Sequence, residues 1–258
     1  MENRNSLWRS FFAIGLLSIA VQQVICRDFR PVILPPGYPA WLSQRFVWDC
    51  IFSALLVIAC VCIILSIKAR SVSLLLAVVL LLIVIVFQLP SQQYPVHLSM
   101  WTNVFKELTY SGGAFLVAGS LPRQGITSRS ISFLEKLIPM GKYFFAFTMA
   151  VFGYLHFLYP DFVATLVPNW IPGHMFWTYF AGVALMAGGI GIIVNIKRHL
   201  AANLLGIMIF IWLIVLHIPR AIADPHSGDG NEWTSVFEAL SFSGIAFLIA
   251  NEKTKKDF

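Results

Sequence analysis

Long apolar runs separated by short polar breaks set the pattern of this chain. The clearest, "VSLLLAVVLLLIVIVFQL" at residues 72–89, carries no charge. Runs of about 20 apolar residues match the length a helix needs to cross roughly 30 Å of hydrocarbon. Nothing alternates with the two-residue period of a barrel strand, and a backbone in lipid must satisfy its own hydrogen bonds, so the runs read as helices. The pattern predicts eight spans, at residues 8–25, 46–67, 72–89, 102–120, 141–158, 175–196, 200–218 and 234–250. The fourth and eighth carry charge. Arg4 and Arg9 ahead of the first apolar core resemble a secretory leader. Against cleavage, Ile25 stands where a small residue is needed, and the segment has a counterpart later in the chain.

That counterpart belongs to a duplication. "WTNVFKELTYSGGAFLVAG" from Trp101 and "WTSVFEALSFSGIAFLIAN" from Trp233 agree at 11 of 19 positions. The stretch from Phe11 aligns without a gap with that from Phe144, pairing Asp28 with Asp161 and Pro35 with Pro168. A third stretch pairs Lys68 with Lys197, Gln88 with His217 and Pro90 with Pro219. The expected fold is an all-α integral membrane protein made of two four-helix bundles. Residues 1–122 form the first, 123–139 a cytoplasmic linker and 140–258 the second. Four is even, so both copies enter the bilayer the same way up, as parallel repeats about an axis along the membrane normal.

Composition and charge agree. Apolar residues make up 58% of the chain and charged ones 12%, against about 25% charged in globular proteins. With a cytoplasmic N-terminus, Arg4, Arg9, Lys68, Arg70, Arg123, Arg129, Lys136, Lys142, Lys197, Arg198, Lys253, Lys255 and Lys256 fall inside, 13 of 18 cations. Both termini are therefore expected in the cytoplasm. The net charge of +6 is met by topology and anionic lipid, without nucleic acid.

Parallel repeats bring counterparts together at the seam. Lys106 of span four and Glu238 of span eight occupy equivalent positions and form a candidate inter-repeat ion pair; the alternative is that both reach out to the interface. Ser111, Gly112 and Ala114, echoed by Ser243, Gly244 and Ala246, let a neighbouring backbone approach, as do Ala184, Ala187, Gly188 and Gly191.

The topology gathers His97, His156, His174, His217 and His226 on the outer side, with Asp28, Asp161, Asp224 and Asp229. In "LHIPRAIADPH", Pro219 removes a backbone donor, so the helix is expected to end or kink between His217 and Arg220. His217 and Arg220 then either satisfy freed carbonyls or, with His156 and Glu238, line a cavity in the second unit. An imidazole relays protons and an arginine suits an anionic head group. The first unit has Gln23, Gln88 and Ser91 at the positions of His156, His217 and Arg220. No metal site is expected: no histidine pair has zincin spacing and there is no Cys-x-x-Cys. Cys26 and Cys50 both lie toward the outer side, where a disulfide is conceivable. No nucleophile motif, phosphate loop or dinucleotide fingerprint occurs, and loops of about 15–20 residues leave no aqueous domain for one.

"GYLHFLYPDFVATLVP", "KRHLAANLLGIMIFIWLIVLHIPRAIADP" and "NEWTSVFEALSFSGIAFLIA" resemble the DoxX-like membrane protein family, over residues 144–250 and more weakly in the first half. The resemblance implies a four-helix unit of the bacterial cytoplasmic (inner) membrane, here in tandem. It also implies an association with thiosulfate:quinone oxidoreduction and with complexes handling thiols. Leu185 stands where many relatives carry a glutamate. The expected function is an accessory or redox-associated subunit, not catalytic alone. It binds a quinone-like amphiphile or a redox membrane or periplasmic partner near the outer leaflet. A small-molecule transporter and a structural or assembly bundle stay open.

Overall fold

The computed structural model describes residues 2–37, 39–92, 101–123 and 129–252; His97, Lys253, Lys255 and Lys256 lie outside them. The described chain is helical, with no strand. The long helices are α1 (Glu2–Cys26), α2 (Arg45–Ile64), α3 (Ala69–Ile83), α4 (Thr102–Gly119), α6 (Met140–Leu158), α8 (His174–Ile193), α9 (Arg198–Trp212) and α11 (Asn231–Ala250). Three short helices join them: α5 (Arg129–Glu135), α7 (Pro160–Leu166) and α10 (Ile218–Ala223).

Among the described residues, six helices are long and apolar enough to cross a membrane, or seven if α6 and α7, bent by 104° at their junction, count as one span. Pro160, which has no amide to donate, starts α7 and ends α6. α4 falls outside the set, so by length and apolarity the eight expected spans are met in part. The reason is where α4 sits: from Val104 to Ala118 every side chain except Lys106 and Leu108 is buried. A helix walled by protein has no need of a lipid-compatible surface. Leu55, Ile58, Leu75, Leu82, Leu204 and Ile211, on α2, α3 and α9, are half exposed or more and form the apolar outer surface instead.

The duplication is visible in the backbone. Gln44 and Gly173, Ser66 and Asn195, and Lys68 and Lys197 all take left-handed conformations, the last pair at φ 46° and 45°. α3 and α9 each run into a π-helical turn, Val84–Gln88 and Leu213–His217. Pro219 does not end or sharply interrupt its helix as expected; the helical run continues from Arg198 to Ala223. The π-helical turn stands directly ahead of it, with the Ile218 amide donating to the Leu213 carbonyl.

Each helix packs on its neighbours in a closed order, α1, α2, α3, α4, α6, α8, α9, α11 and back to α1, while α4 and α11 also touch across the middle. The first helix of each copy therefore lies against the last helix of the other copy. A Cβ on Gly112 would stand 2.6 Å from the Gly141 carbonyl, and one on Gly244 would stand 2.7 Å from the Trp8 carbonyl. Those are repeat-equivalent contacts, made once between α4 and α6 and once between α11 and α1. Hydroxyls close both seams: Thr148 donates to the Phe105 carbonyl at 3.0 Å and Ser241 to the Phe12 carbonyl at 3.2 Å. Lipid tails are as apolar as leucine, so such close backbone packing and interhelical hydrogen bonds, not burial from water, hold these helices together. Phe12, Leu16, Tyr110, Phe115, Phe145 and Met149 fill the interior.

Candidate functional site

Polar side chains concentrate at both ends of the bundle. At the end where α1 begins, Arg70 donates to Glu135 at 2.7 Å and to the carbonyls of Ala118 and Leu121, and Arg123 reaches Glu135 at 3.0 Å. The hydrogen bond from Arg70 holds the Glu135 carboxyl below the usual glutamate range. His199, the equivalent of Arg70, bonds the Ala250 carbonyl at 2.8 Å, so each copy ties its third helix to its fourth at the same place.

The opposite end carries the residues singled out in the sequence. Lys106 Nζ lies 2.8 Å from Glu238 Oε2 across the α4–α11 seam. Arg220 grips Glu232 with two bonds, Nε to Oε2 at 3.1 Å and Nη2 to Oε1 at 2.6 Å. His217 sits within electrostatic range of Lys106, Glu232 and Arg220. His156 makes its contacts elsewhere, in the α6–α8 interface. Its Nδ1 bonds the Phe152 carbonyl at 2.8 Å, and its Cβ fills the space beside Gly182. The structure thus pairs Lys106 with Glu238 and Arg220 with Glu232, and places His217 in range of Lys106, Arg220 and Glu232. Cys26 and Cys50 are both free thiols, and no cluster of metal-ligating side chains occurs among the described residues.

A cavity of about 920 Å³ opens at this same end, between the last turns of α1, the loop after it, and the loop leading into α11. None of Lys106, His156, His217, Arg220 or Glu238 lines it. Its apolar wall is Leu17, Val21, Ile25, Phe29, Trp233 and Phe237; its polar lining is Ser18, Gln22, Asp28, Arg30, His226 and Asp229. Arg30 is 3% exposed and Gln22 is 8% exposed. Arg30 Nε donates to Thr234 Oγ1 at 3.2 Å, and Nη1 donates to the Asp229 carbonyl at 2.8 Å. Thr234 in turn donates to Gln22 Oε1 at 2.8 Å, and Gln22 Nε2 donates to the Gly230 carbonyl at 2.7 Å. Gly230, at φ 83°, holds a left-handed turn that brings this carbonyl to Gln22. From behind, the Arg30 amide donates to Gln23 Oε1 at 3.2 Å. Gln23 Nε2 donates to Ser53 at 2.8 Å, and Ser53 to Asp49 at 3.2 Å.

Sequence reasoning missed Arg30 because it lies between spans and counts there as one more interfacial cation. The signal was the adjacent Gln22 and Gln23 inside an apolar helix, replaced in the second copy by Leu155 and His156.

A family model, Domain of unknown function (DUF8561), matches residues 145–240, from α6 into α11. No curated protein and no solved structure matches the chain.

Proposed function

We propose that this chain is a multi-pass protein of the bacterial inner membrane that holds an amphiphile in the cavity beside Arg30, acting as an accessory subunit without chemistry of its own. The observation that carries this reading is the cavity itself: an apolar wall along α1 and α11 ends at two buried polar side chains, the form expected of a site for a ligand with a greasy body and a polar head. The excess of lysine and arginine at the end where α1 begins supports a cytoplasmic N-terminus, with the cavity toward the outer leaflet. The resemblance to DoxX-like proteins supports a redox-linked setting, with a quinone-like molecule as one such amphiphile.

The test is denaturing extraction of protein purified in mild detergent, followed by mass spectrometry of released small molecules. Wild type is expected to release a stoichiometric amphiphile, and Val21→Trp, which fills the cavity from α1, to release far less. Equal recovery from both proteins removes the reading.

A further inference from the structure

Charge inside membrane proteins is expensive and is normally met by an opposite charge or by a water-filled space. Arg30 departs from that pattern. Its guanidinium bonds a hydroxyl and a backbone carbonyl, both neutral, and it forms no ion pair with any described carboxylate. The third guanidinium nitrogen, Nη2, has no hydrogen-bond partner among the described residues. Nor is it one of the sealed-off, unsatisfied side-chain atoms. It therefore keeps some accessible surface, on a residue that lines the cavity.

The nearest acids, Asp28 and Asp229, line the same cavity, but neither forms an ion pair with Arg30. Asp28 accepts from Arg45 at 2.9 Å and from the Phe29 amide at 2.8 Å, and its side chain is 46% exposed. Asp229 is exposed and offers Arg30 its carbonyl. Asp49 lies behind Gln23 and Ser53, linked to the Arg30 backbone and not to its guanidinium. The N-terminus of α11 adds the positive end of a 20-residue helix, with no side-chain cap, at the Gly230 and Trp233 wall of the cavity.

We infer that the cavity takes an amphiphile whose head is an anionic oxygen group, a phosphate or carboxylate, bound by Nη2 of Arg30 with the chain along Val21, Ile25 and Phe237. This deepens the amphiphile reading above and rests on it. The bound anion supplies the counter-charge that the protein withholds, and the locked Arg30–Thr234–Gln22–Gly230 network fixes the guanidinium before the ligand arrives, so little ordering remains to be done on binding. The second copy has Val163 and Leu155 in place of Arg30 and Gln22, so the site belongs to the first copy's α1 and the second copy's α11 alone.

Trp233 reports occupancy. A nitroxide-labelled stearic acid and its methyl ester, which share one chain and differ in head charge, are titrated into the purified full-length protein. The quenching read is the difference between wild type and Trp233→Phe. The acid is expected to quench at concentrations about tenfold or more below the ester, the worth of one charge-assisted hydrogen bond. Arg30→Gln should bring acid and ester within about twofold of each other, while Arg30→Lys keeps part of the gap. Acid and ester quenching alike in wild type overturn the anionic head and leave the cavity reading standing. No quenching by either overturns both. If Arg30→Gln does not fold, the comparison within wild type still decides. A spin-labelled phosphatidylglycerol and inorganic phosphate then identify the source. Quenching by the lipid, undisturbed by inorganic phosphate, assigns a membrane lipid or fatty acid; displacement of the stearate by inorganic phosphate assigns a soluble anion; and displacement by a neutral short-chain quinone as readily as by stearate overturns the proposal.

Discussion

Lys106 on α4 and Glu238 on α11 occupy equivalent positions of the two copies and meet as an ion pair of 2.8 Å, with side chains 19% and 7% exposed. A symmetric pair of like charges would repel at this seam. The duplication has instead diverged to opposite signs where its own axis runs.

Lys106→Met or Glu238→Gln should each lower stability by about 3 kcal/mol, because the remaining charge is left buried without its partner. The exchanged double variant Lys106→Glu, Glu238→Lys should recover most of the loss, since the two positions are related by the repeat. Thermal unfolding in detergent reads this; a double variant no better than the singles would mean that the pair is incidental.

Gly112→Ala and Gly244→Ala should destabilise by similar amounts, about 1–3 kcal/mol each, because a methyl group at either site meets a backbone carbonyl that only helix separation can move away. Gly191→Ala, whose methyl would find its nearest atoms at 3.3 and 3.4 Å, should cost clearly less. A large loss at one of the equivalent glycines and none at the other would contradict the repeated seam.

Acid should loosen the end where α1 begins. Glu135 is held below its ordinary value of 4.5, chiefly by Arg70, so its folded form binds protons less readily than the unfolded chain. Its contribution is complete above about pH 4.5 and fades as pH falls through the lowered value. Glu135→Gln should be less stable than wild type near neutrality and show a shallower decline in melting temperature on acidification. Parallel pH profiles would show that the carboxylate is not the acid-sensitive group.

Glu107 is fully buried on α4, and neither of its carboxyl oxygens has a hydrogen-bond partner among the described residues. Its counterpart is Ala239. Replacing an unsatisfied buried carboxyl with an apolar side chain of similar length removes a desolvation cost, so Glu107→Met should raise stability by about 1–3 kcal/mol. A fall in stability would show that the carboxyl has a partner in the membrane.

The apolar runs and the duplication could be read from the sequence because each is a linear signal, and Lys106 and Glu238 follow from aligning one copy on the other. The exchange of first helices between copies could not be read that way. An alignment says that Gly112 and Gly244 are equivalent, but it is silent on whether Gly112 packs on α1 or on α6, since Trp8 and Gly141 are themselves equivalent. α4 carries the same lesson from another side: its low apolarity marks a helix shielded from lipid, which composition alone cannot separate from a weak span. The cavity was beyond reach for a related reason. It joins Arg30 to Thr234, and no local pattern brings residues that distant together.

The reciprocal packing of α1 on α11 and of α6 on α4 has a biosynthetic consequence. The earliest of the long helices to leave the ribosome waits in the bilayer for the latest, so final assembly comes only after α11 has been delivered. A one-copy ancestor would have made the same embrace between two separate polypeptides, and the tandem gene turned that encounter into an internal one.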